Sequence, residues 1–251
     1  MLLDALKSVM EAIPADTAIM FSGGLDSGVL AAVAKQYYTP TLYTVGVENA
    51  HDLVAGRTGA EEVGLPWVGI VLTAEEIIEA CCQLLRIADL SPVEVSFELP
   101  LQIIASRVKE ANLLSGQGAD ELFGGYNRYA EMSAAELEQA FTRDYQHLVD
   151  NTLPKENAIA AAYHKTLHRP FLAPEVAAIA LAMPPAQKIA AGVNKMPLRQ
   201  LAAELNLTTI AVKEKKAAQY GSGIMKVLKA AAKKNQLSVG EYLSVLKKEN
   251  L

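Results

Sequence analysis

The apolar run Ala18-Ile19-Met20-Phe21 passes directly into Ser22-Gly23-Gly24-Leu25-Asp26-Ser27, and a helical stretch to about residue 36 follows. A buried strand that turns through two glycines into a helix suits a parallel sheet, which takes its ligands at the carboxyl ends of its strands. Glycines let backbone N–H groups close in on an anion, and the helix N-terminus adds partial positive charge. Ser22 and Ser27 contribute hydroxyl donors. Asp26 would repel a bare phosphate, so it makes sense where a divalent cation lies between the two. The bland alternative is a plain strand-to-helix turn with an acid near the helix start. A Walker loop is excluded, because Gly59 and Gly64 are followed by Leu65 and Pro66 rather than Lys and Ser or Thr. A dinucleotide fingerprint fails where Gly116-Gln117-Gly118 is followed by Glu121.

The residues around this loop keep the same alternation. The pattern predicts an opening helix over 2–13, strands over 41–47 and 66–72, helices over 55–63, 74–87 and 101–111, and a short apolar strand at Leu113-Leu114. Strands separated by helices of this length argue βαβ units and a parallel sheet. After Tyr126 the chain turns rich in Ala, Leu, Glu and Lys, so residues 133–251 read as mostly helical, punctuated by prolines. The division expected is a nucleotide-binding core over 1–130 and a helical part over 131–251.

With 251 residues, 51% of them hydrophobic and 20% charged, the chain is long and apolar enough for a real core, which excludes a disordered scaffold. Its net charge of −5 argues against a general nucleic-acid surface. The lysines at 226, 229, 233 and 234 read as a solvated helix face. Cys81 and Cys82 are adjacent, so they form no zinc site and read as small buried hydrophobes. No apolar run reaches the roughly eighteen residues a membrane span needs, and Asp4 is misplaced for a signal peptide. These features place the chain in the cytoplasm, with no membrane partner.

The second glycine-rich loop is Ser115-Gly116-Gln117-Gly118-Ala119-Asp120-Glu121-Leu122-Phe123-Gly124-Gly125-Tyr126. Its acidic pair would complete a Mg²⁺ site with Asp26 if both loops share one sheet edge. The competing reading is a helix start whose acids complement the dipole.

SGGLDS at residues 22–27 resembles the signature of the PP-loop ATP pyrophosphatase superfamily, whose members cleave ATP between the α and β phosphates. The second loop is similar to SGEGADELFGGY of the asparagine synthetase family, which includes the β-lactam and carbapenam synthetases. Eleven of its twelve positions agree. The resemblance implies a doubly wound parallel sheet of the adenine nucleotide α-hydrolase type with a helical C-terminal half. It implies that Ser22, Gly23, Gly24, Ser27 and Gly116 lie against ATP and that Asp26 and Asp120 hold Mg²⁺. Adenine and ribose would lie near Val45 and Gly46.

The one departure in the second loop is Gln117. Asparagine synthetases carry glutamate there, to accept a proton as ammonia attacks, and the β-lactam branch carries tyrosine. An amide has no usable pKa and cannot act as a general base, though it can hydrogen-bond a substrate.

Lys215, ahead of Gly221-Ser222-Gly223, matches by register the family's late lysine, and Lys195 matches its phosphate-binding lysine. Two ammonium groups facing a departing pyrophosphate suit electrostatic catalysis. Pro170-Phe171-Leu172 matches the family's RxPFLD segment, with His168, Thr166 and Ala173 standing where arginine, glutamate and aspartate are usual. Those departures fall on the acceptor side of the cleft. A metal site on His164 and His168, sharing a helix face, lacks a third ligand.

The resemblance therefore implies an ATP-dependent, AMP- and pyrophosphate-forming ligase that activates a carboxylate, with aspartate favoured, for attack by ammonia or an amine. The chain begins Met1-Leu2 without the family's N-terminal glutaminase cysteine, so nitrogen is expected as free ammonia, another amine, or the product of a separate glutaminase. The alternative is a nucleotide-binding module that kept ATP and lost the chemistry. Retention of both Lys195 and Lys215 argues against it.

Overall fold

A computed structural model of the chain describes residues 1–212 and 221–249. Five parallel strands form one sheet: β1 (Thr17–Met20), β2 (Thr41–Val47), β3 (Trp67–Leu72), β4 (Asn112–Leu114) and β5 (Thr166–His168), in the spatial order β3-β2-β1-β4-β5. Adjacent residues on a strand point to opposite faces. Accordingly Ala18 and Leu113 enter one core while Ile19 and Leu114 enter the other. Helices α1 (Leu2–Glu11), α2 (Leu25–Ala34) and α9 (Pro174–Ala182) cover the second core. Helices α4 (Ala74–Ile87) and α5 (Pro92–Arg107) cover the first. This is the expected doubly wound sheet. The order reverses at β1, which puts the loops after β1 and β4 side by side at the carboxyl edge.

The helices between are α3 (His51–Val63), α6 (Ala119–Phe123), α7 (Ala134–His147), α8 (Leu153–Ala162), α10 (Pro185–Lys188), α11 (Met196–Glu204) and α12 (Thr208–Val212). Two more, α13 (Ile224–Lys234) and α14 (Val239–Glu249), close the chain. A π-helical turn, Leu148–Thr152, joins α7 to α8 without a break.

Two expectations need correction. Helix α5 starts nine residues before the expected position 101 and ends at Arg107. Ser91 caps it reciprocally with Glu94 (Glu94 N–H to Ser91 Oγ 3.3 Å, Ser91 N–H to Glu94 Oε2 2.8 Å), and Pro92 fills the first turn, where no N–H is needed. Pro100, just ahead of the expected start, lies inside this helix. Helix α3 starts at His51 rather than 55. The region beyond 133 is mostly helical as expected, and within it β5 pairs with β4 and ties residues 166–168 into the sheet.

Cys81 is fully buried and Cys82 partly so; burial pushes the Cys81 thiol up to about 12. Among the described residues no helix is long and apolar enough to cross a membrane.

Candidate active site

The first loop is built by close approach. Gly23 has φ +67°, and a Cβ there would lie 2.0 Å from the Ala55 carbonyl oxygen. Only glycine fits, because α3 presents a narrow face (Ala55, Gly56, Gly59, Ala60) on which the loop rests. The Thr44 hydroxyl of β2 donates to the Phe21 carbonyl and accepts from Trp67 Nε1 at 2.8 Å, anchoring the strand exit. Gly24 is the extended N-cap of α2, so the first-turn amides of Leu25, Asp26 and Ser27 open at the carboxyl edge. Ser27 Oγ closes the turn, accepting from Ser22 N–H at 3.4 Å.

The second loop leaves β4 beside it. Gly118 has φ +89°, and a Cβ there would lie 2.4 Å from Leu172 Cδ2, so the Pro170–Leu172 turn leaves room only for glycine. A Cβ on Gly116 would lie 3.2 Å from the Cβ of Asp26, which brings the two loops into contact.

Lys195 joins them. Its Nζ lies 2.5 Å from Asp26 Oδ2 and 2.6 Å from Asp120 Oδ1. The lysine is 4% exposed, and its backbone is left-handed (φ +58°) at the N-cap of α11. Burial disfavours its charge, but the Asp120 and Asp26 carboxylates outweigh that and hold its pKa above the ordinary lysine value. The Gly124-Gly125 turn makes the space: a Cβ on Gly125 would lie 1.9 Å from Asp120 Oδ1 and 2.1 Å from Lys195 Cε. Of the acidic pair, Asp120 turns to this lysine. Glu121 is buried instead, accepts from Tyr126 Oη, and has its pKa raised by burial.

Two carboxylates that converge on one cation position are a fit donor set for Mg²⁺, which commonly takes one or two carboxylates and completes its shell with substrate phosphates. Among the described residues no cluster of three or more His, Cys, Asp or Glu could hold a metal without such help. His164 and His168 do not share a helix face: His164 lies in a turn with φ +55°, and His168, on β5, pairs its Nε2 with Asn112 Oδ1 at 2.9 Å.

Val45 and Gly46 end β2 at the same edge. The late loop docks there: Val47 N–H donates to the Ser222 carbonyl at 2.9 Å, and Gly223 (φ +78°) packs where a Cβ would meet Val47 Cγ2 at 2.5 Å. Lys215 lies outside the described residues.

Gln117 has partners that its sequence neighbours do not announce. Its Nε2 donates to Glu156 Oε1 at 2.7 Å, and Arg169 Nε donates to Glu156 Oε2 at 2.7 Å. Glu156, Arg169 and the buried Glu98 of α5 are the functional candidates that sequence reasoning missed. The available signal was an arginine beside Pro170-Phe171-Leu172 and a glutamate in the first turn of α8, which by itself reads as dipole complement.

The sequence profile of the Asparagine synthase family matches residues 2–140 and 130–238. The chain is 31% identical, over 274 aligned positions, to a protein of Methanocaldococcus jannaschii named putative asparagine synthetase [glutamine-hydrolyzing] 1, covering 92% of this chain and 51% of that one. It is 28% identical to the human asparagine synthetase [glutamine-hydrolyzing] over 75% of this chain and 36% of that one. For the Escherichia coli asparagine synthetase B [glutamine-hydrolyzing] the figures are 26%, 74% and 37%. The chain thus spans from about a third to half the length of these curated relatives.

Proposed function

The chain belongs to the asparagine synthase family, and from that premise we propose that it is an ATP-dependent, AMP- and pyrophosphate-forming carbon–nitrogen ligase. The carrying observation is the convergence of Asp26, Asp120 and Lys195, from two loops and a distant helix, at the carboxyl edge of a parallel sheet. A carboxylate oxygen of the acceptor acid attacks the α-phosphorus, and the bond to the β-phosphate oxygen breaks. The acyl adenylate then takes an amine nitrogen at its carbonyl carbon, AMP departs with the electrons of the C–O bond, and one N–H proton leaves to water.

The amides and hydroxyls of Ser22, Gly23, Gly24 and Ser27, with Gly116 opposite, bind the phosphates, and Val45 and Gly46 offer backbone to adenine and ribose. Lys195 offsets charge that develops on the leaving pyrophosphate, and Lys215 is assigned the same task on its sequence register. Asp26 and Asp120 would hold Mg²⁺, which would supply charge neutralisation and orientation to the polyphosphate once Lys195 turns from them to the phosphates. Aspartate is the favoured acid and ammonia the favoured nitrogen source, taken from solution or from a separate glutaminase in the cytoplasm. The helical part supplies Lys195 to a site whose loops belong to the first 130 residues, so the two parts act as one catalytic unit.

The test is nucleotide product analysis with ATP, Mg²⁺, ammonium chloride and a panel of amino and small carboxylic acids. Acid-dependent AMP and pyrophosphate support the ligase and identify the acceptor. Tight ATP binding with no turnover for any acid supports a nucleotide-binding module, and ADP as product overturns the reading.

A further inference from the structure

Next to the second loop, residues from four elements meet in a buried polar cluster. Gln117 follows β4, Glu98 lies on α5, Glu156 on α8, and Arg169 follows β5. Glu156 is clamped on both oxygens, by Gln117 Nε2 and by Arg169 Nε, each at 2.7 Å, with its side chain 8% exposed. Arg169 also donates from Nη1 to Asn157 Oδ1 at 2.9 Å. Glu98, 3% exposed, feels the charges of Glu156, Glu94, Arg169 and Lys155, and Lys155 Nζ is itself committed to Glu94 Oε1 at 2.5 Å. The π-helical turn Leu148–Thr152 runs directly into α8, which carries Glu156 in its first turn.

The chemistry of this cluster orients an amide. An ionised Glu156 accepts only, so the Gln117 amide must offer it the NH₂ end. Among the described residues its carbonyl oxygen Oε1 then takes one long contact, 3.4 Å, from the Gly118 N–H, and keeps lone-pair capacity for a further donor. A glutamate at 117 would set a second carboxylate at hydrogen-bond distance from Glu156, and like charges so placed repel strongly.

We propose that Glu156, clamped by Arg169, is a positioning residue that fixes the Gln117 amide so that its Oε1 accepts an N–H of the incoming amine in the second half-reaction. This deepens the ligase reading and rests on it. In that step the C–N bond forms, the C–O bond to AMP breaks, and the N–H proton passes to water, so position 117 orients the amine and takes no proton. It follows that 117 and 156 exchange as a pair: the carboxylate can stand at either position, but not at both.

The test separates the half-reactions. Exchange of labelled pyrophosphate into ATP, with aspartate and Mg²⁺, reads adenylation alone; AMP release dependent on ammonium chloride reads the amine step. In Glu156→Ala, exchange stays within about threefold of wild type while ammonium-dependent release falls about tenfold or more, a coupling of the usual size for hydrogen-bonded neighbours. Gln117→Glu loses release and melts lower, and the swap Q117E/E156Q regains part of both, since Arg169 then faces an amide at 156 and its compensating carboxylate one position further off. Both readouts falling together in Glu156→Ala, or an unchanged release, overturns the positioning role, and a swap no better than Q117E overturns the pairing. If the wild type shows no exchange with any acid, the ligase reading fails and the amine role with it. The melting temperature of the swap still decides whether the pairing exists.

Discussion

Lys195 and Asp26 stand 169 residues apart in the chain, and the lysine Nζ lies 2.5 Å from the aspartate Oδ2. With Asp120 on its other side, the ammonium, itself nearly closed to solvent, holds together two carboxylates that are each about a quarter exposed. Removing one member of such a buried group is far costlier than never having built it, because the remaining charges are left uncompensated. Lys195→Met is expected to destabilise the ligand-free protein by about 3 kcal/mol. Mg²⁺ alone, without nucleotide, is then expected to raise the variant's melting temperature more than the wild type's, since the cation position between Asp26 and Asp120 is vacated. Thermal melting with and without Mg²⁺ reads this, and equal shifts in both proteins would sink it.

A Cβ on Gly125 and one on Gly23 both come too close to their surroundings, but to different neighbours. A Cβ on Gly125 meets the ends of two side chains, Asp120 and Lys195, whereas one on Gly23 meets the backbone of Ala55 and Gly56. Side-chain ends give way; packed backbone does not. Gly125→Ala should therefore melt within a few degrees of wild type, yet lose at least about tenfold in AMP formation because the cation position is distorted. Gly23→Ala adds a left-handed backbone to its clash and should lose about 2–4 kcal/mol of stability in denaturant unfolding.

Much of the fold was legible because its signals are local. The two glycine loops declare themselves by residue type, Thr73 and Glu76 box the start of the 74–87 helix, and strand alternation sorts Ala18 from Ile19. Helix α5 was misjudged because Pro100 is tolerated inside it, and β5 was missed because three residues, Thr166–His168, carry no pattern of their own until they pair with β4. The same split runs through the site. Asp26, Asp120 and Lys195 were readable from motifs, while Glu98, Glu156 and Arg169 were not. Their meeting depends on where α5, α8 and the end of β5 cross, and each alone looks like an ordinary charged residue on a helix or turn.

Lys188 is buried over the Phe141 ring, its Nζ 4.6 Å from the ring centroid, and burial depresses its pKa to about 8. Between about 8 and the ordinary 10.5 the unfolded chain holds a proton that the folded one has released. Stability therefore rises with pH across that window and carries a constant penalty below it. Lys188→Met keeps the aliphatic packing, surrenders the cation–π contact, and should melt a few degrees higher at pH 7. Differential scanning calorimetry at pH 7 and pH 10 checks it, since the gain should shrink at the higher pH.

Glu98 runs the opposite way. Desolvation first, then the neighbouring Glu156 and Glu94 charges, push its carboxyl up to about 8, against an ordinary value near 4.5. Across that interval the folded protein keeps a proton that the unfolded chain gives up, so stability falls as pH rises from about 4.5 to 8 and levels off above. The slope for one such group is at most about 1.4 kcal/mol per pH unit. Glu98→Gln keeps the shape and cannot ionise. It should flatten the profile and, for a gain of roughly 2 kcal/mol at pH 8, melt about 4–8 °C above wild type there, while the two proteins converge near pH 5. Melting curves from pH 5 to 9 read the difference directly. A variant that tracks the wild type at every pH would mean that the Glu98 carboxyl is already ionised and compensated in the fold.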